Sequence, residues 1–278
     1  MISIEDIKNY NGLILSGNYS HINVKPHKLL CPYISNYTIT FPSNAMSNEY
    51  TILPSASSTI VIAVNSDWVF SSLRCTNTVA TNVGKYANKM TMLLLIEFIP
   101  GTMNHFIKAD QSELADRSFS LNDINKELSV SMERALLSST NIGTLIASID
   151  SILIKQLTQS YNTIVSVMTN QIIKSHGNVN IQQLSAQYHY SVKHIRRLFK
   201  QHLGTTPKTF SRIVRTSHSA YMLTNRSVRL IDVAYKLGFC DQSHFINDFK
   251  AISGVTPSEY KRNMSHFYND IYKMKIII

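Results

Sequence analysis

Cysteine is scarce in this 278-residue chain: Cys31, Cys75 and Cys240 are the only three, odd in number and far apart. That excludes a disulfide framework and a Cys-rich zinc site, and it fits a reducing compartment. Long apolar runs are missing as well. The longest, around Met92–Ile96 and Ile60–Val64, fall far short of the roughly 20 residues that cross a bilayer. The opening MISIEDIKNY has no basic start followed by an apolar run, so no leader is expected. These absences point to a cytoplasmic protein with no membrane partner; the greasy end Lys275-Ile276-Ile277-Ile278 is expected to dock on the protein itself.

Acidic residues are short in one part only. Residues 1–164 carry 11 Lys and Arg against 12 Asp and Glu, whereas residues 165–278 carry 16 against 5, giving −1 and +11. The whole excess of +10 therefore belongs to the C-terminal segment. A basic domain beside a neutral one is the electrostatic footprint of a nucleic-acid binder, and double-stranded DNA is the expected partner.

That basic segment reads twice. Ser191 to Phe210 and Asp241 to Tyr260 superpose at an offset of 50 residues, with identities at His194/His244, Phe199/Phe249, Lys200/Lys250, Gly204/Gly254, Thr206/Thr256 and Pro207/Pro257. Chance alone gives about one identity in such a window. Each copy holds a short helix, a tight turn and a second helix, the arrangement that presents its second helix to a groove. Ser191 and Asp241 are the expected N-caps, and Thr206-Pro207 restarts a helix with Thr as cap and Pro at the first helical position. Phe210, Ile213, Val214, Ser217 and Tyr221 form one stripe on that helix. Its roughly 18 residues span about 27 Å and separate the copies like a ruler. Thr256-Pro257-Ser258-Glu259 reads as a capping box.

Upstream, β-branched and aromatic runs at Tyr37–Phe41, Thr59–Val64 and Met92–Ile99 are punctuated by Pro and Gly, as in an antiparallel sandwich or barrel. After Glu113 the period changes to helical. Leu121, Ile124, Leu128 and Met132 predict one helix capped at Ser120, and Ile142 to Leu157 predict another. The expected fold is α+β and multidomain: a β-rich regulatory or effector domain at 1–115, a helical bridge or dimerisation surface at 116–162, and an all-α DNA-binding domain at 163–278.

A 3.6-residue projection of the first copy puts Ile195, Leu198, Phe199 and His202 inward. Lys193, Arg196, Arg197 and Lys200 are left pointing out, the first three to read base edges and Lys200 nearer a phosphate. In the second copy Phe245, Asp248 and Phe249 face inward, while Gln242, Ser243, His244 and Asn247 face out as a neutral set suited to adenine.

Ile231-Asp232-Val233-Ala234-Tyr235-Lys236-Leu237-Gly238-Phe239-Cys240-Asp241-Gln242-Ser243-His244-Phe245, followed by Phe249-Lys250, Gly254, Thr256-Pro257 and Tyr260, resembles the signature of the AraC/XylS family of bacterial transcription regulators. The resemblance covers Thr163 to Arg262 and implies two helix-turn-helix subdomains on one long helix, with RNA polymerase as a further partner. It implies base contacts at Lys193, Arg196, Arg197, Gln242, Ser243 and Asn247. Ser185 departs from the pattern, where the family usually has Ala. Tyr50-Thr51-Ile52-Leu53-Pro54, Phe98-Ile99-Pro100-Gly101 and Glu113-Leu114-Ala115-Asp116 resemble a regulatory domain of the same family, implying a cupin-like barrel that binds a small-molecule effector or a partner, followed by helices that form a homodimer.

Two other readings stand beside this one. Pro100-Gly101 and His105, with His21, His27 and Glu97, resemble half of a cupin metal motif, as in a metal enzyme fused to a DNA-binding module, but a paired His-x-His is absent. No Gly-rich phosphate loop or nucleophile motif occurs either, so no enzyme, metal or cofactor is expected. The third reading is an architectural DNA binder without sequence preference.

Overall fold

A computed structural model describes residues 2–17, 21–42, 51–82, 89–158, 163–225 and 227–262. Tyr50 and the Lys275–Ile278 tail lie outside them. After a short helix α1 (Glu5–Lys8), the N-terminal part runs through β1 (Ile14–Gly17), β2 (His21–Val24), β3 (Ile34–Thr40), β4 (Thr51–Ile52), β5 (Thr59–Val64), β6 (Val69–Arg74), β7 (Thr81–Asn82) and β8 (Met92–Phe98). It continues with α2 (Gln111–Leu114), β9 (Ser118–Ser120), α3 (Leu121–Ile124), α4 (Lys126–Ser138) and α5 (Ile142–Gln156).

Seven of these strands form one antiparallel sheet in the order β1-β2-β3-β8-β5-β6-β9, and β4 pairs with β7 separately. The large sheet has two ends, β1 and β9, so among the described residues it is an open sheet and the expected barrel does not close. Its two faces differ in chemistry because side chains alternate along each strand. One face stacks apolar rungs across the strands: Ile22, Ile39, Leu94 and Ile62 in one row, and Val24, Tyr37, Ile96, Ile60 and Leu73 in the next. The other carries Asn23, Asn36, Thr38 and Glu97. Thr38 Oγ1 donates to Asn23 Oδ1 at 2.7 Å, and Asn36 Nδ2 donates to Thr38 Oγ1 at 2.9 Å.

The helices α3, α4 and α5 lie on the apolar face and share its core through Leu121, Leu128, Met132, Leu145, Ile149 and Leu153. The single helix expected from Leu121 to Met132 is instead two. Asn125 takes an extended conformation (φ −152, ψ 93), and its side chain caps α4 by accepting from the Leu128 amide at 3.1 Å. The Asn side chain competes with helical backbone bonding, so the break falls where the cap is. Tyr37 Oη donates to Asp150 Oδ1 on α5 at 2.7 Å. Burial, with that carboxylate beside it, holds the Tyr37 hydroxyl protonated.

The C-terminal part is helical: α6 (Thr163–Lys174), α7 (Ile181–Tyr188), α8 (Val192–Leu203), α9 (Pro207–Leu223), α10 (Leu230–Lys236), α11 (Gln242–Ser253) and α12 (Pro257–Arg262). It contains two cores. Leu184, Ile195, Leu198, Phe199, Phe210, Ile213 and Val214 build one; Ala220, Val233, Ala234, Phe239, Phe245, Phe249 and Tyr260 build the other. The helix α9 contributes to both. At the end of α6, Gly177 has φ +77 and sits so close to α9 that an added Cβ would lie 2.2 Å from the Ser211 carbonyl oxygen.

Both the left-handed backbone and the missing space exclude a side chain at Gly177. Gly177→Ala is therefore expected to destabilise the protein by about 2–4 kcal/mol, read as a lower denaturant midpoint of the full chain at unchanged slope.

Candidate nucleic-acid interface

The helix α8 starts at Ser191, whose Oγ accepts from the His194 amide at 3.2 Å, and ends at Gly204 in the left-handed region, whose N–H reaches the Lys200 carbonyl. Between these caps Ile195, Leu198, Phe199 and Leu203 are buried, which leaves Lys193, Arg196, Arg197 and Lys200 exposed. The preceding turn is closed by His189 in a left-handed conformation and by the Ser185 hydroxyl donating to the Tyr190 carbonyl. Ser185, the departure from the family pattern, thus has a role that Ala cannot supply.

Two residues that the helical projection does not single out arrange this surface. Tyr190 stacks on His194 with ring centroids 4.8 Å apart, and His194 Nδ1 lies 3.4 Å from an Arg197 terminal nitrogen. Arg197 is thereby held from one side. Lys200 extends toward the Gly204 carbonyl at 3.5 Å, at the negative end of the helix, and so stands apart from the other three cations.

The helix α11 repeats the design with different surface chemistry. Asp241 Oδ1 accepts from the His244 amide at 2.7 Å, and Phe245 and Phe249 are buried. Ser243, His244 and Asn247 are exposed and Gln242 is half-buried. The turn before it uses Gly238 at φ +74, and Phe239 fills the core below, its ring 5.3 Å from Phe245 and edge-on to His244 at 5.3 Å. Asp248 is held by Arg212 of α9, Nε to Oδ1 at 2.7 Å. Thr256 and Glu259 close the capping box at the start of α12.

The C-terminal ends of α8 and α11 abut the N-terminal part. His202 Nδ1 lies 3.2 Å from Asn104 Nδ2, and Gln111 Nε2 donates to Asn104 Oδ1 at 3.1 Å. Gly204 backs onto the Gln111 carbonyl and Ala115, and Gly101 backs onto Leu203 and Val165. On the other subdomain the Ala80 amide donates to the Ile252 carbonyl at 3.3 Å. Burial lowers the pKa of His202, Asp110 opposes that shift, and His105 adds to it. The projection places His202 inward, but no local pattern names its partners, which lie about 100 positions away in the chain.

Three residues of the metal reading serve other ends. His105 is buried against Tyr33, ring centroids 4.9 Å apart; the His27 ring accepts from the Leu29 amide; Glu97 accepts from Thr38 at 3.3 Å. Among the described residues, no group of three or more His, Cys, Asp and Glu side chains is placed to hold a metal ion.

Between the first subdomain and α9, His176 and His218 stack with ring centroids 3.9 Å apart. Loss of solvent, followed by the neighbouring His176 and Lys236, pushes the His218 pKa down to about 4.

Residues 184–263 match the family model described as "Helix-turn-helix domain". A transcriptional regulator of Haemophilus influenzae is 29% identical over 86 residues, covering 31% of this chain and 29% of that protein. The regulator YisR of Bacillus subtilis is 31% identical over 85 residues, covering 31% of this chain and 30% of that protein. The chain thus spans less than a third of the length of these curated relatives. Among solved structures, apo ToxT from Vibrio cholerae aligns over 90% of this chain and 100% of its own at 13% identity, with a TM-score of 0.43. No helix among the described residues is long and apolar enough to cross a membrane.

Two outcomes are expected from this geometry. Arg197→Ala should weaken binding to a preferred DNA site by about 1–3 kcal/mol and relax preference at one base, measured by titration against matched and random duplexes. For His218, an unfolded chain takes up a proton near the ordinary value of 6.5 while the folded chain resists until about 4. Stability should therefore fall as pH drops through that window and level off below it, and His218→Gln should flatten the slope of denaturation midpoint against pH.

Proposed function

We propose that this protein is a sequence-specific DNA-binding transcription regulator, and an activator; the helix-turn-helix match at residues 184–263 and relatives named as transcriptional regulators support this reading. In this reading α8 and α11 enter successive major grooves on one face of the duplex. Lys193, Arg196 and Arg197 read bases from the first helix, with Lys200 at a phosphate; Gln242, Ser243, His244 and Asn247 read from the second.

The observation that carries the reading is the pair of capped helices on one 17-residue helix, each with its apolar side buried and its cationic or amide side exposed. Among the described residues a catalytic reading has no comparable constellation behind it. The charged first helix supplies most of the affinity through phosphate and guanine contacts, and the neutral second helix adds discrimination.

The proposal extends to the N-terminal part. Residues 1–115 receive a small molecule or a protein partner, residues 116–162 carry a homodimer surface, and residues 163–278 bind DNA and meet RNA polymerase. The seam at His202, Asn104, Gln111 and Ala80 supports a route between them, because a ligand that alters the sheet region would alter what holds the ends of α8 and α11. Such a ligand changes DNA binding only to the extent that it favours one arrangement over the other.

In-vitro selection from a random DNA pool with the full chain, at two salt concentrations, tests the reading. The expected result is an enriched motif of two boxes about one helical turn apart, the first box more strongly constrained. Salt-labile binding with no enriched sequence would overturn sequence-specific recognition and favour the architectural reading.

A further inference from the structure

Asp248 is out of place on a helix that faces a polyanion. Superposed on the first copy it corresponds to Leu198, which is buried in the first core, so the two recognition helices are secured differently at the same position. The first is held there by apolar packing. The second is held by a charge-assisted bond to α9: Arg212 Nε to Asp248 Oδ1 at 2.7 Å, with the Asp248 side chain only 13% exposed and that of Arg212 33% exposed.

Arg215, three residues further along α9, binds in two directions. Its Nη2 donates to the Gly177 carbonyl at 2.9 Å, in the first subdomain, and its guanidinium carbon stands 5.0 Å from the centre of the Phe239 ring, in the second. One turn of α9 therefore carries bonds to both reading units. Apolar contacts tolerate sliding and tilting, whereas a short guanidinium–carboxylate bond has a preferred direction. Binding Asp248 to Arg212 also neutralises a carboxylate that would otherwise repel phosphates.

We propose that the Arg212–Asp248 pair, braced by Arg215, fixes the angle between the two recognition helices and so determines which spacing of two DNA boxes the protein accepts. The inference rests on the two-box reading given above. One inserted base pair moves the second box by about 3.4 Å and turns it by about 34°. A helix pair locked by a directional bond cannot follow that displacement; a pair joined by α9 and apolar packing alone follows part of it.

The test uses the full chain and the two-box duplex that the wild-type protein selects, alongside duplexes with one base pair added to or removed from the spacer. The wild-type protein is expected to lose at least about tenfold in affinity on either altered spacer. Asp248→Asn should bind the original duplex more weakly yet lose less than about threefold between spacers, and Arg212→Gln should behave alike. Restoring the pair in reverse, Arg212→Asp with Asp248→Arg, should recover discrimination.

A charge effect on phosphates, or a general loss of stability, would change affinity equally on all three duplexes. Unchanged spacer discrimination in both single variants would therefore overturn the inference. A thermal melt establishes that each variant is folded at the assay temperature; should both single variants be unfolded, spacer discrimination in the reversed pair decides, and its loss in a folded protein overturns the inference. Failure of the wild-type protein to select a two-box site would instead sink the DNA reading, a result obtained before any variant is made.

Discussion

The helix α9 is buried on nearly every side, and the arrangement of the C-terminal part follows from that. Phe210, Ile213 and Val214 enter the first core, while Ala220 and Leu223 enter the second. Between them Ser211, Thr216, Ser217 and Ser219 are buried too. Small side chains let neighbours approach closely, and two of the hydroxyls bond back within the helix itself: Ser211 Oγ donates to the Pro207 carbonyl at 2.9 Å, and Ser219 Oγ to the Arg215 carbonyl at 2.8 Å. A central helix of this kind turns small hydroxyls back on itself and sends its longer polar side chains, Arg212 and Arg215, outward to Asp248 and the Gly177 carbonyl. The close approach of Gly177 and the His176–His218 stack are both consequences of it.

Around this axle the two copies have diverged in their surfaces while keeping their caps. Ser191 and Asp241 perform the same capping task, as do Gly204 and Gly254 at the other ends. The outer faces share His194/His244 and Lys200/Lys250 but differ between them: Lys193 and Arg197 on one helix stand where Ser243 and Asn247 stand on the other. Backbone geometry tolerates few solutions at a helix terminus, whereas a solvent-facing position constrains chemistry only through its partner. Divergence has accumulated where the fold leaves freedom.

Much of the C-terminal part was legible because its signals are local. Caps, left-handed glycines and a 3.6-residue apolar period each occupy a few adjacent positions, so α8, α9 and α11 and their exposed residues follow from short stretches of text. Tyr37–Phe41, Thr59–Val64 and Met92–Ile99 likewise marked β3, β5 and β8, whose runs of β-branched residues are long. The strands β1, β2, β6 and β9 were not marked, since SFS or HINV gains strand character only from the neighbour it pairs with. Whether a sheet closes depends on such edge strands, which is why the open sheet was not visible. Arg212 with Asp248, His176 with His218 and His202 with Asn104 join positions 36, 42 and 98 apart. No periodicity encodes such pairs.

The polar side of the sheet acts on alternatives to the fold as well as on the fold itself. Asn23, Asn36 and Thr38 are fully buried and bonded to one another. Were β3 to slip by one residue against β2 and β8, Asn36 and Thr38 would turn beneath α5, and Tyr37 and Ile39 would be driven among amides. Each orphaned polar group would cost about 1–3 kcal/mol, and the Tyr37–Asp150 bond would be lost with them. The network thus keeps the strands in step during assembly, excluding misaligned sheets that an all-apolar sandwich of valines and isoleucines would accept.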